Sequence, residues 1–172
     1  MAYLVQTVVT KFIFLSLIFS LITAPVLSLP FVVFNGFLST CNDAEELIET
    51  LEKDSGNQGQ CISLGGWLPR LYSAFTPIMD QVKLACEKVK ELDELKNGYN
   101  LIGISQGSMI SRGLIEFCDE APPIKNFISL GGPQAGIATA PNCTGDICEK
   151  IRYLAATLPI YSDDQQVNLT YG

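Results

Sequence analysis

Gly103-Ile104-Ser105-Gln106-Gly107 sets a serine between two glycines at the spacing GxSxG, which is the spacing of an activated nucleophile. Such a serine sits on a tight turn between a strand and a helix, so that its Oγ projects above the sheet. The glycines leave space where a side chain would strike the neighbouring strand and helix. The helix that follows turns its free amides and positive dipole end toward the place where an oxyanion forms. The chemistry this favours is acyl transfer through serine. In the same architecture a second oxyanion donor comes from the loop after an earlier strand. Asn35-Gly36-Phe37 is placed to supply it through the Phe37 amide, with the Gln106 amide as partner; without further context the turn reads rather as an ordinary strand end.

A serine hydroxyl needs a neighbouring base to take its proton, and the sequence contains no histidine. Loss of the imidazole from a serine triad costs on the order of 10⁶-fold in turnover. Lys125 is the lysine closest to the expected sheet, and it reads as a solvated residue at the start of a strand. Asp146, Asp163 and Asp164 read as a helix cap and surface charges rather than as a displaced catalytic acid.

The elements around the serine follow from hydrophobic periodicity. Pro30 to Gly36 is a short Val/Phe-rich run closed by a turn pair and predicts a buried strand. Asp43 to Lys53 carries Ala44, Leu47, Ile48 and Leu51 at helical spacing, Asp54 to Gln60 reads as a loop, and Cys61 to Leu64 as a second short strand. Ile78, Val82, Ala85, Val89, Leu92 and Leu95 predict one amphipathic helix over Pro77 to Lys96, closed by Asn97-Gly98. Tyr99 to Ile104 is the strand that feeds the serine; Ser108 to Cys118 is the helix after it, stopped by Pro122-Pro123. Ile124 to Leu130 predicts a further buried strand, and a final helix is expected from about Asp146 to Leu158. Tyr72, Phe75 and Met79 read as ordinary core, with the lining of an acyl site as their alternative use. Strands alternating with helices give an α/β fold with a mostly parallel sheet.

The hydrophobic share of 48% at 17% charged is that of a globular chain, and the net charge of −7 leaves no basic surface for a nucleic acid. Without histidine the usual zinc sites are excluded, and no CxxC pair offers an all-cysteine one, so neither a metal nor a cofactor is expected. Residues 1–28 read as a secretory signal peptide: Lys11, an apolar run from Phe12 to Ile22, then Pro25 and a cut after Ser28. The alternative is a membrane anchor, which would need about 20 apolar residues. Residues 29–172 show no internal boundary and read as the N-terminal portion of a single α/β domain. On a secretory route the six cysteines imply disulfides, with fifteen possible pairings. Asn142-Cys143-Thr144 and Asn168-Leu169-Thr170 are glycosylation sequons, so Asn142 and Asn168 are candidate acceptors.

The stretches YNLIGISQGSMISRGLIEFC, PPIKNFISLGGPQAGI and PFVVFNGFLSTC together resemble the palmitoyl-protein thioesterases, plant members included. The resemblance runs from about Pro30 to Ser162. It implies an α/β-hydrolase that removes long-chain acyl groups from protein cysteines, with Ser105 as nucleophile, Gly103 and Gly107 framing its turn, and the Phe37 and Gln106 amides as oxyanion hole. It also implies the pairs Cys86–Cys118 and Cys143–Cys148, which leaves Cys41 with Cys61. S-acylated proteins or long-chain acyl thioesters would be the partners, in a lysosome, a vacuole or outside the cell, with no membrane anchor once the signal is removed. Two departures stand out: Asn35 occupies a position where members often carry histidine, and from about Asp163 the likeness ends, before the family's catalytic Asp and His. The resemblance therefore implies a truncated chain of little or no activity, whose sheet would expose an apolar edge. The alternative is a secreted, non-catalytic glycoprotein that binds acyl chains or a partner.

Overall fold

The computed structural model describes residues 29–136, together with Gln6 and Lys11. The expected signal peptide apart from those two residues, the expected helix from Asp146, the sequons and Cys143 and Cys148 lie outside the described residues.

Among the described residues four strands form one parallel sheet: β1 (Phe31–Phe34), β2 (Gly59–Cys61), β3 (Tyr99–Ile104) and β4 (Ile124–Leu130), in the order β2-β1-β3-β4. Between them run α1 (Glu45–Ser55), α2 (Pro69–Phe75), α3 (Ile78–Lys90) and α4 (Gln106–Phe117). Alternation along the strands divides the core in two. Val32, Phe34, Tyr99 and Leu101 point to the face where Ile78, Val82, Ala85 and Val89 of α3 and Met109, Ile110 and Leu114 of α4 close over them. Phe31, Val33 and Ile102 point to the other face, against Ala44 and the partly buried Ile48 and Leu51. β1 and β3 are therefore buried on both sides. This explains their unbroken apolar sequences.

Three expectations need correcting. The helix predicted to Lys96 ends at Lys90. Leu92 is extended, a 3₁₀ turn spans Asp93–Leu95, and fully buried Leu95 packs back on the core, so the apolar period survives although the helix does not. β2 begins at Gly59 rather than Cys61, because its pairing with β1 (Phe31↔Gly59, Val33↔Cys61) sets its limits. β4, expected to be buried, is an edge strand among the described residues, with Ile128 and Leu130 exposed.

Two disulfides fix the helices and loops to this sheet. Cys41–Cys61 ties the loop after β1 to the end of β2, and Cys86–Cys118 staples α3 to the end of α4, with Cα separations of 5.5 and 5.6 Å. Both lie in the ordinary range.

Candidate active site

β1 leads outward to β2 on one side of the sheet, and β3 leads to β4 on the other. The chain thus reverses its direction of travel between β1 and β3. Ligand crevices of open α/β sheets form at such a point, beyond the carboxyl ends of the strands. Ser105 occupies it.

Its backbone has φ 52° and ψ −119° at the position just before α4. This left-handed region is costly for a residue with a Cβ and persists only when its surroundings enforce it. The enforcement is visible on three sides. The Ser105 amide donates to the Leu130 carbonyl at 2.8 Å, and its carbonyl accepts from the Ser108 amide at 2.9 Å. The buried Ser108 hydroxyl donates to the Gly103 carbonyl at 2.7 Å, closing strand onto helix. The loop after β4 packs on the same turn through Gly132, beside Ser108 and Ser129, and through Gln134, whose Nε2 donates to the Ser129 hydroxyl at 3.2 Å. Ser105 itself stays exposed.

The glycines carry the close approaches. A Cβ on Gly107 would run into the Phe34 carbonyl, one on Gly103 into the Ser108 backbone, and one on Gly36 would stand 3.2 Å from the Ser105 Cβ and 3.7 Å from its Oγ. Gly107→Ala should therefore force β1 and α4 apart. We expect a loss of about 3 kcal/mol, the upper part of the overpacking range, read as a lowered urea midpoint.

Phe37 follows Gly36 directly, so its amide belongs to the loop lying against Ser105, and Gln106 opens the helix, where the first amides have no intrahelical acceptor. What holds these two amides in place came from residues that sequence reasoning passed over. α2 lies across the loop: the Ser73 hydroxyl accepts from the Leu38 amide at 2.9 Å, and Arg70 donates to the Leu38 carbonyl at 3.2 Å. The Ser73 carbonyl accepts from the buried Gln106 side chain at 3.0 Å, while Gln81 of α3 donates to the Thr76 carbonyl at 2.8 Å and steadies the end of α2. One residue, Ser73, thus joins both proposed donor segments. The signal for Gln81 was present in the sequence: it interrupts the apolar face of α3 between Ile78 and Ala85 and is fully buried. Ser73→Ala removes the link to Leu38 and the hydroxyl's own bond to the Arg70 carbonyl while keeping the Ser73 carbonyl for Gln106, with an expected loss of about 1 kcal/mol in stability and faster exchange of the Leu38 amide.

Asp43 secures the far side of the loop. Its Oδ2 accepts from the Thr40 amide at 2.6 Å and from the Thr40 and Ser39 hydroxyls, and Arg70 approaches it at 3.5 Å. The Thr40 amide bond is the main cause that holds its pKa below the ordinary 3.8. Because the folded value is the lower one, this stabilisation is complete above the unfolded pKa and disappears as pH falls through the folded one. The protection of the Thr40 amide, taken relative to its intrinsic exchange rate at each pH, should hold steady down to the ordinary aspartate value of 3.8 and fall below it.

Phe34, Asn35, Gly36, Leu64, Pro69, Ser73, Gln81 and Ile110 line a small cavity beside this turn. Phe75, expected as core, is exposed, whereas Tyr72 and Met79 pack against the core edge. Lys125 is exposed on β4. Among the described residues no group of His, Cys, Asp and Glu could hold a metal, and no helix is long and apolar enough to cross a membrane.

Residues 30–171 match the family described as palmitoyl protein thioesterase. Over 75 residues the chain is 47% identical to palmitoyl-protein thioesterase 1 of Caenorhabditis elegans, which covers 42% of this chain and 25% of that protein. Over 109 residues it is 31% identical to a lysosomal thioesterase PPT2 homolog of Drosophila melanogaster, covering 62% of this chain and 36% of that one. The chain therefore spans well under two thirds of either relative. Among solved structures, the Bacillus licheniformis lipase BlEst2 superposes with a TM-score of 0.56 at 19% identity, over 86% of this chain and 57% of the lipase. At that identity the likeness is one of fold, and the fold is that of the α/β hydrolases.

Proposed function

The chain belongs to the palmitoyl protein thioesterase family, and on that premise we propose that Ser105 is the nucleophile of a thioester hydrolysis that frees protein cysteines from long-chain acyl groups. The observation that carries this reading is the enforced φ of 52° at Ser105, on a strand-to-helix turn packed against Gly36. Ser105 Oγ would attack the thioester carbonyl, the Phe37 and Gln106 amides would hold the resulting oxyanion, and the C–S bond would break to leave an acyl-serine for water to cleave. A cysteine thiol has a pKa of about 8.5, so it departs as thiolate with little help from an acid. The hydroxyl proton of Ser105 still needs a base, and this chain has no histidine to provide one.

That absence is also what favours a second reading, a secreted glycoprotein that binds acyl chains without hydrolysing them. The lysosome is the proposed compartment, supported by the likeness to the Drosophila lysosomal thioesterase homolog. A fluorophosphonate probe decides the main point: at high concentration and long incubation it should label the chain and leave Ser105→Ala unlabelled. Equal labelling of both would remove Ser105 from the role.

A further inference from the structure

Phe37 and Leu38 in the loop beside Ser105, and Trp67, Leu68, Leu71 and Phe75 in and before α2, are large apolar side chains left exposed. The two segments are joined by the Leu38 bonds to Ser73 and Arg70, so they form one surface at the rim of the site. Leu68, Leu71 and Phe75 recur at helical spacing on the outer side of α2, while Ala74 faces inward and is buried. Trp67 stands in front of them, 88% exposed, on a turn made by Gly65 and Gly66 at positive φ. Monomeric proteins rarely present such a cluster without a partner.

Its charge says which partner. Residues 55–79 contain no Asp or Glu in a chain that carries 18 of them, and the single charge in the stretch, Arg70, is matched by Asp43. The patch is thus locally neutral, whereas the net charge of −7 opposes an anionic surface. Tryptophan and leucine on a neutral patch suit the boundary between headgroups and acyl chains, where an indole keeps its N–H wet and buries its ring.

We infer that this surface docks reversibly on a zwitterionic lipid bilayer, with Trp67 at the headgroup level. The docking rests on the patch itself; its purpose, to bring Ser105 to an acyl chain leaving the membrane, rests on the thioesterase reading above.

The chain has one tryptophan, so Trp67 reports on its own insertion. The full chain is titrated with phosphatidylcholine vesicles, with and without brominated acyl chains. Trp67 emission should shift to the blue and be quenched by the brominated lipid. The exposed-site variant Leu71→Asp/Phe75→Asp, checked for unchanged circular dichroism, should partition about 100-fold more weakly, roughly tenfold for each side chain that no longer leaves water. No quenching would overturn the proposal, as would binding that leaves Trp67 unquenched, binding that requires anionic lipid, or a blue shift that follows protein concentration without vesicles. Fluorophosphonate labelling in vesicle-free buffer is read separately. A labelled chain that ignores vesicles sinks the docking alone, and a docked chain that does not label sinks the thioesterase reading alone.

Discussion

The purified 172-residue chain should hydrolyse a palmitoyl thioester about 10⁶-fold more slowly than a serine hydrolase with a complete triad. That factor corresponds to roughly 8 kcal/mol of transition-state stabilisation. The position of the proposed nucleophile is not the deficit, since Ser105 is held in its strained turn by β3, β4, α4 and the Gly36 loop. What the sequence lacks is a histidine to take the hydroxyl proton. Because Ser105 is exposed, a base dissolved in the buffer can reach it. Added imidazole should raise the rate of the wild-type chain and leave Ser105→Ala unchanged. Turnover at triad-like rates with no imidazole present would show that another group in the chain acts as base, and would defeat the prediction.

The second large effect is on stability. Replacing the Cys86–Cys118 bridge by Cys86→Ser/Cys118→Ser opens a cross-link over a sequence separation of 32. On the loop-entropy account this costs about 3–4 kcal/mol, which in a domain of this size lowers the melting midpoint by roughly 10 °C or more. The bridge joins α3 to the end of α4, so the helix that follows Ser105 loses its covalent tie to α3. Both cysteines must be changed together, because a single substitution would leave a reactive thiol. A loss below about 1 kcal/mol would mean that the apolar seam of Val82, Ala85, Ile110 and Leu114 holds the two helices unaided.

The sequence showed most about this protein where a rule of local geometry and a rule of burial coincide. Around Ser105 the glycine spacing, the apolar run before it and the helical period after it all point to one turn, and that turn is present. Periodicity misled where it measured burial alone. Leu92 and Leu95 keep the period of α3 past its end because a 3₁₀ turn can also return a side chain to the core. Ile62 and Leu64 drew the second strand toward themselves because they are buried, although pairing with β1 ends at Cys61. α2 was missed for the opposite reason: its outer residues are apolar and exposed, so Pro69 to Phe75 shows no amphipathic contrast. Its polar work, done by Arg70 and Ser73 on the loop that carries Phe37, depends on contacts across more than thirty residues, which no window of sequence contains.

The bond from the Ser105 amide to the Leu130 carbonyl links two points 25 positions apart, with the later one supplying the acceptor. A ribosome adding about 5–20 residues per second needs roughly 1–5 s to cover that interval. During translation, then, Ser105 emerges with only the local bonds from Ser108 to close its turn. The acceptor for its amide arrives with the end of the fourth strand, so the last of the contacts that enforce the turn is also the last to be synthesised.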